Sequence, residues 1–312
     1  MSRIVAVALP AGDTAGAGNI ADELIRQVRE AAAAGVTSVW FHQRFDIDAI
    51  TLAALAGREV PGVEVGTAVV PLYPRHPLAL AAAAQTAQAA TNGRFTLGVG
   101  LGVQALLEPA YGQKYPPPIQ HLRECLTVLR QCFDGGPVGF EGRTVSAHPP
   151  LPTTVPGSGG ISLVVAAMGP QALRAAGELA DGTVPFLAGP RALAGHIVPT
   201  VLEAAGAAGR PAPRIIAAVP AVVTSDVGPV RQIAALQLGF YSGLASYQRI
   251  LAAAGVADPA ELALIGDEET VAAGIDSYFD AGATEVIIVQ AGMRSGRERL
   301  RTWQLAGQLS KR

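Results

Sequence analysis

Aromatic residues make up only 5% of this 312-residue chain, charged residues 15%, and cysteine occurs twice. Each shortage closes off a class of protein. With 23 basic against 25 acidic side chains and no run of Lys or Arg, there is no electrostatic footprint for nucleic acid or an anionic membrane, and neither is expected as a partner. Cys125 and Cys132 lie seven apart in one predicted helix, so their Cα atoms stand about 10 Å apart at a rise of ~1.5 Å per residue. That is beyond disulfide reach, and the two read as buried free thiols rather than metal ligands. His121, His148 and His196 show no pairing at metal-ligand spacing, so no metal is expected. Apolar runs are broken well before the roughly 18 residues that a membrane span needs. The opening Met-Ser-Arg passes directly into a strand without the apolar core of a signal peptide, which makes cytoplasmic residence the expectation. G-x-S-x-G, H-E-x-x-H and a Walker A lysine are all missing. A chain without a nucleophile or metal centre of its own points to a bound cofactor as the carrier of its chemistry.

Hydrophobic residues are plentiful at 50%, and their order is informative. From Gly66 to Gly102 the chain reads as strand, loop, helix, strand and glycine turn: Val63 to Val70, a helix opening at Pro77 and ending at Asn92-Gly93, then Phe95 to Val99. The same alternation predicts strands at Ile4 to Leu9, Thr37 to His42, Ile161 to Ala166, Thr183 to Leu187, Ile215 to Thr224 and Glu285 to Val289. Helices are predicted at Ile20 to Ala34, Asp46 to Arg58, Ile119 to Phe133, Pro170 to Leu179, Pro190 to Ala207, Pro229 to Ala254 and Asp267 to Ala281. Eight βα units in about 300 residues favour an α/β fold of the (β/α)8 TIM-barrel type over an open sheet. One domain, 1–312, is expected, with excursions at about 106–160 and 239–261. The second excursion carries Phe240, Tyr241 and Tyr247, and both are expected to shape a substrate pocket.

In such a fold, ligands bind at the C-terminal ends of the strands. Gly100-Leu101-Gly102-Val103 follows the fourth strand, and with Gln104 and Ala105 it matches a relaxed dinucleotide fingerprint, G-x-G-x-x-A. A Rossmann domain would place that pattern after its first strand, so what remains is a turn whose backbone N–H groups can meet a phosphate. Met168-Gly169-Pro170 is a second strand end leading into a helix, and a second anion seat. His42 ends the second strand beside Gln43 and Arg44, a position suited to acid/base work or hydrogen bonding to a ring. Arg75 and His76 read as loop and capping residues.

Several ordered segments resemble the luciferase-like monooxygenase superfamily, and more closely its coenzyme F420-dependent oxidoreductases from actinobacteria. The carriers are Ser38-Val39-Trp40 with Asp48 to Leu52; Gly66 to Pro71 with Arg75-His76-Pro77; Gly93 to Gly100; Gly177 to Gly182; and Ile265 to Glu269. The resemblance implies a barrel holding a deazaflavin or flavin ring at its mouth. It also implies a non-prolyl cis peptide at Ala68-Val69 within a bulge of the third strand, so that Ala68, Val69 and Val70 back the ring. Gly100, Leu101, Gly102 and Val103, with Met168 and Gly169, would hold the phosphate side, and His42 and Gln43 would contact the coenzyme. The acid/base pair of the sugar-phosphate dehydrogenase branch is missing, since Val103 and Arg44 occupy the matching positions. The expected activity is therefore reduction of an activated C=C or C=N bond in a small-molecule substrate by reduced coenzyme F420. His42 is the candidate for a ring or substrate hydrogen bond, with Tyr73 and Tyr111 as candidate proton donors. The alternatives are an FMN-dependent monooxygenase served by a separate reductase, and a non-catalytic flavin-binding homologue. A homodimer is implied by the resemblance.

Overall fold

A computed structural model describes residues 3–10, 16–290 and 292–311. The short apolar runs form eight parallel barrel strands: β1 (Ile4–Leu9), β2 (Ser38–Phe41), β3 in two pieces (Glu64–Thr67 and Val70–Pro71), β4 (Phe95–Gly100), β5 (Ser162–Ala166), β6 (Gly182–Thr183), β7 (Arg214–Val223) and β8 (Glu285–Val289). Each pairs with the next in sequence, β8 also lies against β1, and the ring closes. The result is the expected TIM barrel.

Alternation sorts the side chains into two cores. In β1, Ala6 and Ala8 join Trp40, Val164, Ile216, Ala218 and Ile287 inside the barrel, while Val5, Val7 and Leu9 face the helices. Trp40 is the largest side chain of that lumen and is fully buried there among alanine, valine and isoleucine. A Cβ on Gly66 would come within 2.7 Å of the Trp40 ring, so glycine is required opposite that indole. The N-terminal end of the barrel is closed by Arg214, whose guanidinium donates to both carboxylate oxygens of Glu285 at 2.6 and 2.9 Å. It also reaches the Ser162 hydroxyl at 2.8 Å and the Thr96 hydroxyl at 3.2 Å. One side chain thereby ties β7, β8, β5 and β4 together at the end opposite the mouth.

The helices start where their caps predict. Asn19 accepts from the amides of Ala21 and Asp22 at the start of α1 (Ile20–Ala33), and Asp48 accepts from Thr51 at the start of α2 (Ala49–Glu59). His76 caps α3 (Pro77–Ala90), with its Nδ1 accepting from the Leu78 amide and Pro77 in the first turn. Next come α4 (Gln104–Tyr111), α5 (Pro118–Phe133) and α6 (Pro170–Leu179). Several expected ends shift by one to three residues, β3 is divided, and three elements change more. The stretch expected as one piece from Pro229 to Ala254 breaks into Val227–Leu238, a 3-10 turn Gly239–Gly243 and Ala245–Ala254, where two glycines weaken the helix. The helix expected over Pro190 to Ala207 contains a π-helical turn, Leu193–Ile197. β6 stops at Thr183 rather than Leu187, leaving one further bridge between Phe186 and Ala218. Within the 106–160 excursion, α5 packs against α3 and α6 and so takes a place in the outer helical ring. Among the described residues no helix is long and apolar enough to cross a membrane.

Candidate active site

The third strand carries the local feature on which the site is built. Gly66 pairs with Thr96, and Val70 pairs with Val99, so four steps along β3 match three along β4. One residue is extra, which defines a β-bulge, and the Ala68–Val69 peptide within it is cis, as expected. The Thr67 hydroxyl replaces the missing rung, donating to Gly98 O at 2.8 Å and accepting from Gly98 N–H at 2.9 Å. Gly98 is obligatory there, because a Cβ would sit 1.8 Å from the Thr67 carbonyl oxygen. The bulge turns both Ala68 and Val69 toward the lumen core. Val70, expected with them at the ligand, has its side chain fully buried in the outer core against the helices, which is the physical consequence of the extra residue.

His42 directly follows β2, and its Nδ1 lies 2.7 Å from the Ala68 carbonyl oxygen. A carbonyl only accepts, so Nδ1 carries the hydrogen and Nε2 presents its lone pair. Burial pushes the His42 pKa down; the Ala68 carbonyl opposes this and the nearby Arg44 charge adds to it. The imidazole is therefore neutral at pH 7. Of the residues that directly follow the eight strands, His42 alone is ionisable. Gln290, which follows β8, keeps both ends of its side-chain amide buried without a hydrogen-bond partner.

The other candidates separate clearly. Gln43 spends its amide on its own loop, donating to the carbonyls of Arg44 and Ile47 at 2.7 Å and accepting from Ala49 N–H at 3.1 Å. It sets the entry to α2 rather than reaching into the mouth. Arg44 pairs with Asp46 and Arg75 with Asp48. Gly100 lies under Val69, where a Cβ would approach Val69 Cγ2 to 2.9 Å. Gly102 adopts φ +75° and packs under Leu107, while Val103 caps α4 without a side-chain hydrogen bond. Tyr73 is buried, its hydroxyl donates to Gln113 O at 2.5 Å, and its pKa is raised by burial and by Glu108. Tyr111 is 45% exposed on the rim, with its ring edge-on to Tyr73 at 6.2 Å.

At the end of β5, Met168 and Gly169 border a cavity of about 240 Å³ with Pro170, His196, Ser246 and Arg249. Gly169 caps α6 without a side chain, and the space where its Cβ would stand is open. The start of α6, Gly169–Pro170, thus borders the cavity without a side-chain cap, next to Arg249, which has no ion-pair partner among the described residues. His196 Nε2 lies 2.9 Å from Met168 O and fixes that turn. The residues missed from sequence are Arg249, His196, Gln290, Tyr115 and Phe186. Phe186 reaches the lumen core and meets Tyr241 edge-on at 5.2 Å, so one wall of the mouth comes from the second excursion.

The two thiols are free and buried. Cys125 Sγ lies 3.5 Å from His121 Nε2, a neighbour that the spacing of four made legible and the sequence reading passed over. Burial pushes the Cys125 thiol up to about 12. Glu124 meets a desolvation penalty, yet hydrogen bonds from Thr144, Arg143 and Gln120 hold its carboxyl down at about 2. Among the described residues no group of three or more His, Cys, Asp or Glu could hold a metal.

Fold and site together define a (β/α)8-barrel protein whose mouth has an apolar floor, one neutral imidazole and a strand end bordered by Arg249. The chain belongs to the luciferase-like monooxygenase family, whose model matches residues 3–285. It is similar to the F420-dependent glucose-6-phosphate dehydrogenase of Kineococcus radiotolerans, with 26% identity over 293 residues covering 84% of this chain and 85% of that one. A provisionally named coenzyme F420-dependent oxidoreductase of Mycobacterium tuberculosis is 32% identical over 176 residues, 53% of this chain, and the match spans about half of that relative's length (51%). Among solved structures, the coenzyme F420-dependent tetrahydromethanopterin reductase of Methanopyrus kandleri superposes with a TM-score of 0.81 at 21% identity, covering 99% of this chain and 98% of the other. At that identity the superposition speaks for the fold alone.

Proposed function

We propose that this protein is a coenzyme F420-dependent oxidoreductase that, with the coenzyme reduced, transfers hydride to an activated C=C or C=N bond of a small organic substrate. The observation that carries the reading is the cradle itself: a bulged β3 turning Ala68 and Val69 into the lumen, with the uncapped start of α6 and Arg249 at the end of β5. The donor set fits the coenzyme. Ala68 and Val69 give a flat apolar backing for a ring, the Gly100 to Val103 turn lies beside it, and the Met168–Gly169 end with Arg249 suits a phosphodiester. Gln290 adds an amide whose donor and acceptor are both unmet, matching the mixed edge of a pyrimidinedione.

Bound there, the reduced coenzyme supplies a hydride from C5 of its ring. The chain's own task is to orient, to exclude water and to manage one proton. Neutral His42 offers Nε2 as an acceptor and holds the substrate or the ring by a hydrogen bond. Tyr73 has its proton engaged by Gln113 O. Tyr111 has no such bond among the described residues and is the freer proton source. The same reading makes the protein a homodimer that acts in the cytoplasm.

A side-by-side fluorescence-quenching titration with coenzyme F420 and with FMN tests it, followed by enone and cyclic-imine reduction. Tight binding of F420 with turnover supports the proposal. Preference for FMN replaces it with monooxygenase chemistry, and binding of neither with a non-catalytic role.

A further inference from the structure

Four aromatic rings form a chain of successive contacts at the rim, the inner two buried and the outer two exposed. Tyr115 is 9% exposed and Tyr73 5%, whereas Tyr111 is 45% exposed and Phe45 70%. Successive ring centroids lie 5.2 Å apart from Tyr115 to Tyr73, 6.2 Å from Tyr73 to Tyr111 and 6.0 Å from Tyr111 to Phe45. The inner end is anchored to the site, because the Tyr115 hydroxyl donates to Leu101 O in the Gly100–Gly102 turn at 2.5 Å. The outer end stands three residues beyond His42. The charges flanking Phe45 are turned on each other, with Arg44 donating to Asp46 through two nitrogens at 2.9 Å, so neither reaches across the ring.

We propose that Phe45 and Tyr111, backed by Tyr73, form a recognition shelf for a planar apolar substrate, a conjugated carbonyl or imine bearing an aromatic group. The proposal rests on the reading of the mouth as the coenzyme-ring site. Aromatic faces bind flat π-systems by offset or edge contacts and offer no positive charge to a phosphate. A second copy of the chain is a poorer occupant. The exposed parts of the two outer rings, at ~200 Å² per whole ring, amount to roughly 230 Å², against the ~800 Å² per partner of a specific protein interface. The two buried rings instead tie the exposed pair to the Gly100–Gly102 turn through the Tyr115 hydroxyl on Leu101 O, which sets the shelf beside the candidate site.

The test compares two acceptors that differ only at the shelf, trans-pent-3-en-2-one and trans-4-phenylbut-3-en-2-one, with the F420-loaded protein. The phenyl compound is expected to show a KM roughly three- to tenfold lower, the scale of one aromatic contact. Phe45→Ala is expected to erase that preference by raising KM for the phenyl compound alone, with kcat unchanged; at 70% exposure its loss leaves folding intact. Binding of both compounds to the protein loaded with oxidised coenzyme, read by saturation-transfer NMR, needs no turnover. If neither enone is reduced but the phenyl compound still binds and Phe45→Ala abolishes it, the shelf stands and the reductase reading falls. Equal KM values and equal binding, or a Phe45→Ala effect on both compounds alike, would overturn the shelf. So would a change in sedimentation mass in Phe45→Ala, which would mark the rim as a subunit contact.

Discussion

Gly98→Ala tests the bulge at the one position where the backbone itself leaves no room. The new Cβ would lie 1.8 Å from the Thr67 carbonyl oxygen, 3.1 Å from its carbon and 3.2 Å from Val69 Cγ1. A carbon meets a carbonyl oxygen at about 3.3 Å or more, so β3 must retreat by about 1.5 Å. The Thr67 hydroxyl bonds to Gly98, now 2.8 and 2.9 Å, then open to more than ~4 Å, well past the range of a hydrogen bond. Leaving buried partners unmet costs about 1–3 kcal/mol and overpacking about as much again, together roughly 2–6 kcal/mol out of a typical 5–15. In a chain of this size that is on the order of 3 to 9 °C in Tm. Because Thr67 leads directly into Ala68, coenzyme affinity should fall at least tenfold in whatever fraction folds. Two controls separate this clash from a general intolerance of alanine. Gly100→Ala meets only side chains, Val69 Cγ2 at 2.9 Å and the Ala166 methyl at 3.3 Å, and should cost about 1 kcal/mol. Gly93→Ala has a φ of +83° but no neighbour within 4 Å, and should lose about 1–2 kcal/mol without touching the coenzyme. Urea denaturation and fluorescence titration of the three variants decide the matter. A Gly98→Ala protein as stable as wild type, with unchanged affinity, would refute the reasoning.

His42→Ala should lower turnover about a hundredfold while leaving coenzyme affinity within a fewfold, as steady-state kinetics and titration would show. Because the folded protein holds His42 neutral, its contribution to stability is complete above the unfolded pKa of about 6.5 and is lost as pH falls below it, when the unfolded chain takes the proton first; stability of wild type minus His42→Ala, measured from pH 5 to 8, should follow that sign. Arg249→Ala should weaken coenzyme binding about tenfold and flatten its salt dependence, read by titration at two ionic strengths. Glu124 has a folded pKa of about 2, below the ordinary 4.5, so it stabilises above about 4.5 and its share disappears as pH falls from there toward 2; Glu124→Gln should melt lower at pH 7, with the gap to wild type narrowing below pH 4.5 and closing only as pH approaches 2. Arg214→Ala strands the buried Glu285 carboxylate and should cost about 3–5 kcal/mol in urea denaturation with no change in coenzyme affinity, since it lies at the far end of the barrel.

The parallel strands and their order were legible because barrel strands, covered on both faces, leave short apolar runs between helix caps, and the ends of β1, α6 and β8 fell on the expected residues. The bulge was not legible from local pattern. Val63 to Val70 reads as one unbroken strand, and only the approach of Gly98 from the neighbouring strand breaks it. Its presence could be expected only from family resemblance. Side-chain commitments were hidden for the same reason: nothing near Gln43 or Tyr73 in sequence reveals that loop carbonyls take up their donors. Arg249 was invisible as a site residue because the helix carrying it starts some 75 residues after the turn it faces, and that distance is closed only by the barrel.

Departures from local rules gather at one end of this molecule. Leu187, a buried branched residue at φ +55°, lies just beyond β6; the only other non-glycine with positive φ among the described residues, Asn92, sits in an Asn-Gly turn where its short side chain tolerates that backbone. The unpaired amide of Gln290 follows β8, the bulge interrupts β3, and the uncapped amides of α6 follow β5. At the opposite end, the Arg214 guanidinium meets Glu285, Ser162 and Thr96. Two buried indole nitrogens, of Trp40 and Trp303, lack partners within the cores, so unmet groups are not confined to the mouth. Yet all the backbone irregularity of the barrel strands lies toward their C-terminal ends. A sequence that ties its N-terminal strand ends together and leaves the irregular backbone at its C-terminal ends has put its stability away from the mouth and its departures from regular geometry where a ligand can meet them.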